Sequence, residues 1–69
     1  MKNINYDLLK LLHMSLDKIW RLEKHYINDS DEARCHSAPA MRKMLEEEKK
    51  QAETLRAEIK ARMDAGKFD

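Results

Sequence analysis

The sequence predicts an all-α protein, in which an antiparallel hairpin of two long helices assembles into a four-helix bundle by dimerisation. The composition is rich in helix formers, with 39% charged residues but only one glycine and one proline. The chain contains no valine, and no alternating run of β-branched and aromatic residues predicts a strand. Two segments with helical spacing of apolar residues flank a short polar stretch, which is the pattern of a helical hairpin.

The first helix is expected over residues 4–28. Asn3 or Asn5 can serve as its N-cap, because a side-chain amide oxygen can accept a hydrogen bond from a free backbone N–H in the first turn. The polar and cap-rich stretch at residues 28–31 is expected to break the helix.

The second helix is expected over residues 38–65, after a turn at residues 29–37. Ser37 is its expected N-cap, and Pro39 fits the first turn, where a missing N–H costs nothing. Gly66 is expected to end the helix, because glycine readily adopts the left-handed conformation found there.

The chain has 69 residues, so residues 1–69 are expected to form one domain. A core in a chain below about 70–80 residues supplies only about 3–5 kcal/mol of stability. Cys35 is the only cysteine, so no disulfide within the chain can add to this. We therefore expect a homodimer or a higher homo-oligomer.

The net charge of +1 gives no electrostatic attraction toward nucleic acid or anionic lipid, so neither is an expected partner. No apolar run is long enough to span a membrane or to act as a signal peptide. A single cysteine is typical of a reducing compartment, and the expected localisation is cytoplasmic.

Apolar residues repeat at alternating three- and four-residue steps in both helices, which predicts a helix–helix seam. The predicted seam of the first helix contains Leu9, Leu12, Leu16, Ile19, Glu23 and Tyr26. That of the second helix contains Met41, Leu45, Glu48, Ala52, Leu55 and Ile59. Residues at one level of an antiparallel pair have numbers with a constant sum, and four apolar pairs set this sum at 71. Glu23 and Glu48 share that sum, so the two carboxylates are expected to face each other.

Two carboxylates inside a bundle are costly, because both lose hydration and repel one another. Glu23 and Glu48 could be compensated by a shared proton, a buried water, a cation from the partner hairpin or a metal ion. Alternatively, the seam is partly open and both side chains reach water or pair with Lys49 or Arg21.

The segment at residues 46–55 reads EEEKKQAETL. It resembles the second-helix segment of rubrerythrins and of the short encapsulated ferritins, in the ferritin-like superfamily, whose pattern is approximately E-E-x-x-H-A-x-x-L. Trp20, Glu23 and Tyr26 look like the aromatic and glutamate group of the family's first helix. Gln51 stands where the family has a metal-binding histidine, and an amide oxygen is a weak neutral ligand.

This resemblance implies a half-length chain with an iron site at a dimer interface, where Fe(II) is bound and oxidised by O₂. Glu23, Glu48 and Gln51 would be the metal ligands, in an atypical or degenerate ferroxidase site. An encapsulin-type shell is a partner that the resemblance alone implies.

A second candidate metal cluster lies near the turn, where the residues are spaced by four, three and four. Its members are His25, Asp29, Glu32 and His36. If the first helix continues through the turn, they form one stripe beside Cys35 that could bind Zn(II) or a similar ion. The alternative is a solvated polar turn with scattered titratable groups.

Two non-enzymatic functions compete with the ferritin-like interpretation. A structural or adaptor bundle would mediate protein–protein association through its wide apolar face, and would tolerate Glu48→Leu. An RNA-binding hairpin dimer would need a basic face, but Asp17 interrupts the basic edge of the first helix. No nucleophile–base pair or glycine-rich loop indicates another class of enzyme.

Overall fold

The computed structural model describes all residues from Met1 to Asp69 and is all-helical, with no strand. It contains α1 (Asn3–Arg21), a π-helical turn (Leu22–Tyr26), α2 (Ile27–Glu32) and α3 (Ala38–Asp64). The first three follow one another without a break, so residues 3–32 form one rod. A turn at residues 33–37 connects this rod to α3, which runs back along it as an antiparallel partner.

The first rod is longer than predicted, because the helix does not end near Asn28. The side chains of the polar stretch find partners while their backbone stays helical. The Asn28 amide donates to the carbonyl of Lys24 at 3.2 Å, and Asp31 accepts a hydrogen bond from Arg42 at 2.7 Å. Cap-forming residues therefore do not force a helix to stop when such partners lie within reach.

The rod ends in a Schellman motif. The N–H of Cys35 donates to the carbonyl of Ser30 at 2.9 Å, and the N–H of Arg34 donates to that of Asp31 at 3.1 Å. This motif requires a left-handed residue, and Arg34 supplies it with φ of 53°. Glycine usually occupies this position, so Arg34 holds a strained backbone conformation.

The boundaries predicted for the second helix are correct to within one residue at its C-terminus. Ser37 lies at the N-cap and Pro39 in the first turn, although the Ser37 hydroxyl makes no capping bond. Gly66, with φ of 70°, follows the helix end in a second Schellman motif, in which Lys67 N–H donates to the carbonyl of Arg62 at 2.8 Å.

The N-terminus differs from the prediction, because Lys2 is the N-cap residue. Asn5 is instead completely buried inside the hairpin. Its side-chain oxygen accepts a hydrogen bond from Arg62 Nε at 2.6 Å, and its Nδ2 donates to the carbonyl of Lys67 at 3.0 Å. Asn5 thus ties the start of α1 to the end of α3.

The seam of α3 is the predicted one, since its six members are all buried or half-buried. The seam of the first rod was predicted only in part: Leu12 and Ile19 are half-buried, but Glu23 and Tyr26 are exposed. The buried and half-buried positions of α1 and the first π-helical residue are Asn5, Leu8, Leu12, Ser15, Ile19 and Leu22.

The contacts in the middle of the hairpin do not keep the predicted sum of 71. The Asn5–Arg62 bond and the Lys18–Glu48 ion pair join residues whose numbers sum to 67 and 66, instead of 71. The physical reason lies at Ser15, whose hydroxyl donates to the backbone carbonyl of Glu48 at 3.3 Å. This small side chain lets the two helices approach closely, so it takes the inward position and Leu16 is left outside.

The hairpin measures 50 × 17 × 14 Å and has a thin core. Only five hydrophobic residues are buried, and two of them are alanines. Eleven large hydrophobic side chains remain exposed. Neither the first rod nor α3 carries an apolar stretch long enough to cross a lipid bilayer.

Candidate functional site

Glu48 is the one charged residue buried in the hairpin. Its carboxylate oxygen Oε2 lies 3.4 Å from Lys18 Nζ, and the Glu48 side chain is 12% exposed. The Lys18 side chain is 49% exposed, so its stem lies along the hairpin while water reaches its ammonium group. A cation from α1 thus compensates the buried carboxylate within one chain.

Glu23 does not face Glu48, and the expected pairing of the two carboxylates is wrong. Glu23 lies exposed in the π-helical turn, whereas Glu48 points into the seam. Leu8, Ser15 and Leu22 replace the predicted seam positions that follow them, so Leu22 is buried and Glu23 is turned outward. Gln51 is also exposed, on the same side of α3 as Glu48.

A groove of about 540 Å³ runs between α1 and α3, and we call it the central groove. Its walls and floor include Leu11, Met14, Ser15, Lys18, Glu48, Lys50, Gln51, Thr54 and Leu55. Two of the three predicted metal ligands, Glu48 and Gln51, therefore share one groove, but Glu23 does not line it. The groove instead combines apolar walls with the Lys18–Glu48 ion pair.

A smaller groove of about 250 Å³ lies between the same two helices and is lined by a separate set of residues; we call it the opposite groove. Its lining residues are Leu16, Ile19, Lys49, Ala52, Glu53 and Arg56. Arg56 Nη1 pairs with Glu53 Oε1 at 2.6 Å, and both side chains are largely exposed. This groove is therefore edged by hydrated charges.

The second candidate cluster begins as predicted for a continuous helix, but it does not close into a metal site. His25, Asp29 and Glu32 are exposed residues of the first rod, and His36 lies in the turn. The His25 ring instead packs edge-on against Trp20, with ring centroids 5.0 Å apart. No group of three or more His, Cys, Asp or Glu side chains in the hairpin is arranged to hold a metal ion.

Cys35 is exposed in the turn, with its sulfur beside the Ser37 hydroxyl. The Ser37 hydroxyl donates a hydrogen bond to Cys35 Sγ at 3.2 Å, which stabilises the thiolate and lowers the pKa of Cys35. Ser30 Oγ lies 2.8 Å from Ser37 Oγ, so Ser30 can donate to Ser37 while Ser37 donates to the sulfur.

Comparison with protein-family models, with curated proteins and with solved structures found no match to this chain. The ferritin-like resemblance thus stays a prediction from the sequence.

Three residues of the central groove and the seam were missed by the sequence analysis: Ser15, Lys18 and Asn5. Polar seam residues give no hydrophobic signal, so apolar spacing favours Leu16 over Ser15. Once Ser15 is known to face α3, the three-residue spacing of a helix places Lys18 on the same side. The partner of Glu48 was therefore predictable only after the correct seam was known.

Proposed function

We propose that this hairpin is a non-enzymatic association module, which pairs with a second copy to form a four-helix bundle and acts by protein–protein association. The observation that carries this proposal is the imbalance between a thin core and an exposed apolar surface. Five hydrophobic residues are buried, while eleven large hydrophobic side chains are exposed. Trp20 is half exposed, and Met14 is 56% exposed.

Such an imbalance is costly for a chain that stays alone in water. Burying apolar surface gains about 25 cal/mol for each Å², so covering the eleven exposed side chains would favour association. Pairing two hairpins covers these side chains and supplies the core that one hairpin lacks. An adaptor role, in which the bundle then binds other helical proteins, would depend on the same burial of apolar side chains.

Light scattering coupled to size-exclusion chromatography tests the proposal directly. We expect a dimer at micromolar concentration, and a melting temperature that rises with protein concentration, because association stabilises only the folded state. A monomer with a melting temperature independent of concentration would contradict the proposal.

The ferritin-like di-metal site remains a prediction, and the residues of one chain do not fit it. Glu48 already has a cation at 3.4 Å, which a metal ion would have to displace, and Glu23 is turned away. A site between two copies would therefore need carboxylates from both chains. Native mass spectrometry with added Fe(II) addresses this, since a dimer that takes up two metal ions would favour the ferritin-like function.

A further inference from the structure

The segment that follows α3 closes the end of the hairpin opposite the turn. α3 ends at Asp64, and Gly66 turns the chain so that residues 67–69, which we call the strap, cross to the start of α1. The N–H of Lys2 donates to the main-chain oxygen of Asp69 at 2.8 Å, and the two side chains lie 3.4 Å apart as an ion pair. The strap thus ties α1 to α3 at the end where no turn joins them.

Asn5 holds the strap from the side of α1. Its Nδ2 donates to the main-chain oxygens of Lys67 at 3.0 Å and of Asp69 at 3.3 Å. Its Oδ1 accepts a hydrogen bond from Arg62 Nε at 2.6 Å, so both polar atoms of the amide have partners. Asn5 is the most deeply buried residue of the hairpin, at 0% exposed. Burial of this amide is therefore compensated only while the strap is closed.

Few contacts hold the strap against α1. Its hydrogen bonds to α1 come only from Asn5 Nδ2 and from the N–H of Lys2. The ion pair between Lys2 and Asp69 joins side chains that are 59% and 70% exposed, and such a pair contributes little to stability. Phe68 is the one side chain of the strap that is half-buried. A segment with so few buried contacts opens at a lower free energy than the core does.

Gly66 is the point about which the strap turns. It adopts a left-handed conformation with φ of 70°, which glycine reaches without strain. A Cβ added at Gly66 would have no heavy atom within 4 Å. A substitution at this residue therefore changes the backbone preference and creates no clash.

We propose that residues 67–69 act as a strap that opens and closes as one unit, with Gly66 as its hinge and Asn5 as its catch, while the rest of the hairpin stays folded. Opening releases the N–H of Lys2 and exposes the Asn5 amide to water, so the state of the strap controls the order of the first turn of α1. All of these contacts lie within one chain, and the device does not depend on the proposed self-association.

A pair of matched substitutions tests the catch. Asn5→Asp keeps an oxygen for Arg62 but has no hydrogen to donate to the main-chain oxygens of the strap. Asn3→Asp makes the same chemical change at an exposed residue that forms no hydrogen bond with the strap. Trypsin cleaves after Lys67 only when the strap is open, and the cleavage rate follows the open population. We expect Asn5→Asp, and not Asn3→Asp, to speed the release of residues 68–69 by about 10-fold.

This release should come before any cleavage inside α3, with the helical circular dichroism spectrum retained. Equal rates of release from the Asn5→Asp and Asn3→Asp chains would contradict the role of Asn5 as the catch. If cleavage after Lys49, in the middle of α3, kept pace with cleavage after Lys67, the strap would open only when the hairpin unfolds, and the proposal would be overturned.

Hydrogen exchange of the Asn5 side-chain amide, followed by NMR, tests the hinge and requires no change at the catch. Gly66→Ala should speed this exchange by about 5- to 30-fold, because alanine disfavours the left-handed conformation. Gly66→D-Ala, in a synthetic chain, should slow it by about 2- to 5-fold, because the D-residue favours that conformation. Equal rates in these two variants would exclude Gly66 as the hinge.

The wild-type chain supplies the decisive comparison. The backbone N–H of Ala52 lies in the buried seam of α3 and reports the opening of the core. We expect the Asn5 side-chain amide to be protected at least about 10-fold less than this N–H, because the strap opens more often than the core. Equal protection of the two groups would refute a strap that opens by itself.

Discussion

Replacing Lys18 with alanine removes the cation beside Glu48 and leaves a carboxylate whose side chain is only 12% exposed. An exposed ion pair contributes at most about 1 kcal/mol, whereas breaking a buried pair costs about 3–5 kcal/mol. Because the Lys18 side chain is 49% exposed, water screens part of the attraction. Lys18→Ala should therefore lower the free energy of unfolding by about 2 kcal/mol, between these two limits.

Removing the other partner should have the opposite effect. Glu48→Leu takes away the buried charge, leaves Lys18 free to extend into water, and adds a leucine to the apolar seam of α3. We expect the free energy of unfolding to rise by about 1 kcal/mol. In the double variant, the loss of Lys18 should cost almost nothing, which gives a coupling of about 2 kcal/mol between the two positions.

Urea unfolding, followed by circular dichroism at one fixed protein concentration, measures these differences. Lys50→Ala is the matched control, because Lys50 lines the same groove but forms no ion pair. If Lys18→Ala and Lys50→Ala agreed to within about 0.5 kcal/mol, water would be solvating Glu48 and the reasoning would be refuted.

Three further predictions concern the ends of the hairpin. Arg34→Gly should raise the free energy of unfolding in urea by about 0.5–1 kcal/mol, because glycine adopts the left-handed conformation without strain. The control Ala57→Gly, within α3, should lower the free energy of unfolding by about 1 kcal/mol. A loss of stability in both variants would show that Arg34 is unstrained. Asn5→Ala should lower the free energy of unfolding by about 2 kcal/mol, since it leaves polar groups without partners at the junction of α1 and α3. An unchanged midpoint of urea unfolding would mean that water replaces the amide. The lowered pKa of Cys35 gives it more thiolate at a given pH, so its alkylation rate should rise at lower pH than that of a cysteine peptide. Ser37→Ala should move this rise to higher pH. If Ser37→Ala left the pH profile of alkylation unchanged, the hydroxyl would be excluded as the cause.

The sequence predicted the long helices and the seam of α3 well, because both follow from local signals. Pro39, Gly66 and the apolar spacing from Met41 to Ile59 each act within one or two helical turns. The seam of the first rod was harder, since the Leu8–Leu9 and Leu11–Leu12 pairs fit two seams that differ by one residue.

Of the three predicted metal ligands, only Glu48 and Gln51 lie in the central groove, and the cation beside Glu48 was not predicted. Its partner depends on which residues of the first rod face α3, and one of these is a small polar residue, Ser15, which hydrogen-bonds to the backbone of α3. Helix-forming propensity and apolar spacing carry no information about such a close approach. For the same reason, the expected contact between Glu23 and Glu48 was wrong although both segments were correctly predicted to be helical.

The π-helical turn at Leu22–Tyr26 has a consequence for how this chain is compared with other helical hairpins. A π turn holds one more residue than the α-helical path it replaces, so the inward positions advance by one residue after it. A heptad pattern that assigns the buried face of α1 correctly therefore assigns the wrong residues to that face from Ile27 onward. An alignment without a gap would pair exposed residues with buried ones. A single-residue deletion within the turn should restore a regular helix in which both parts of the rod keep the faces they have now.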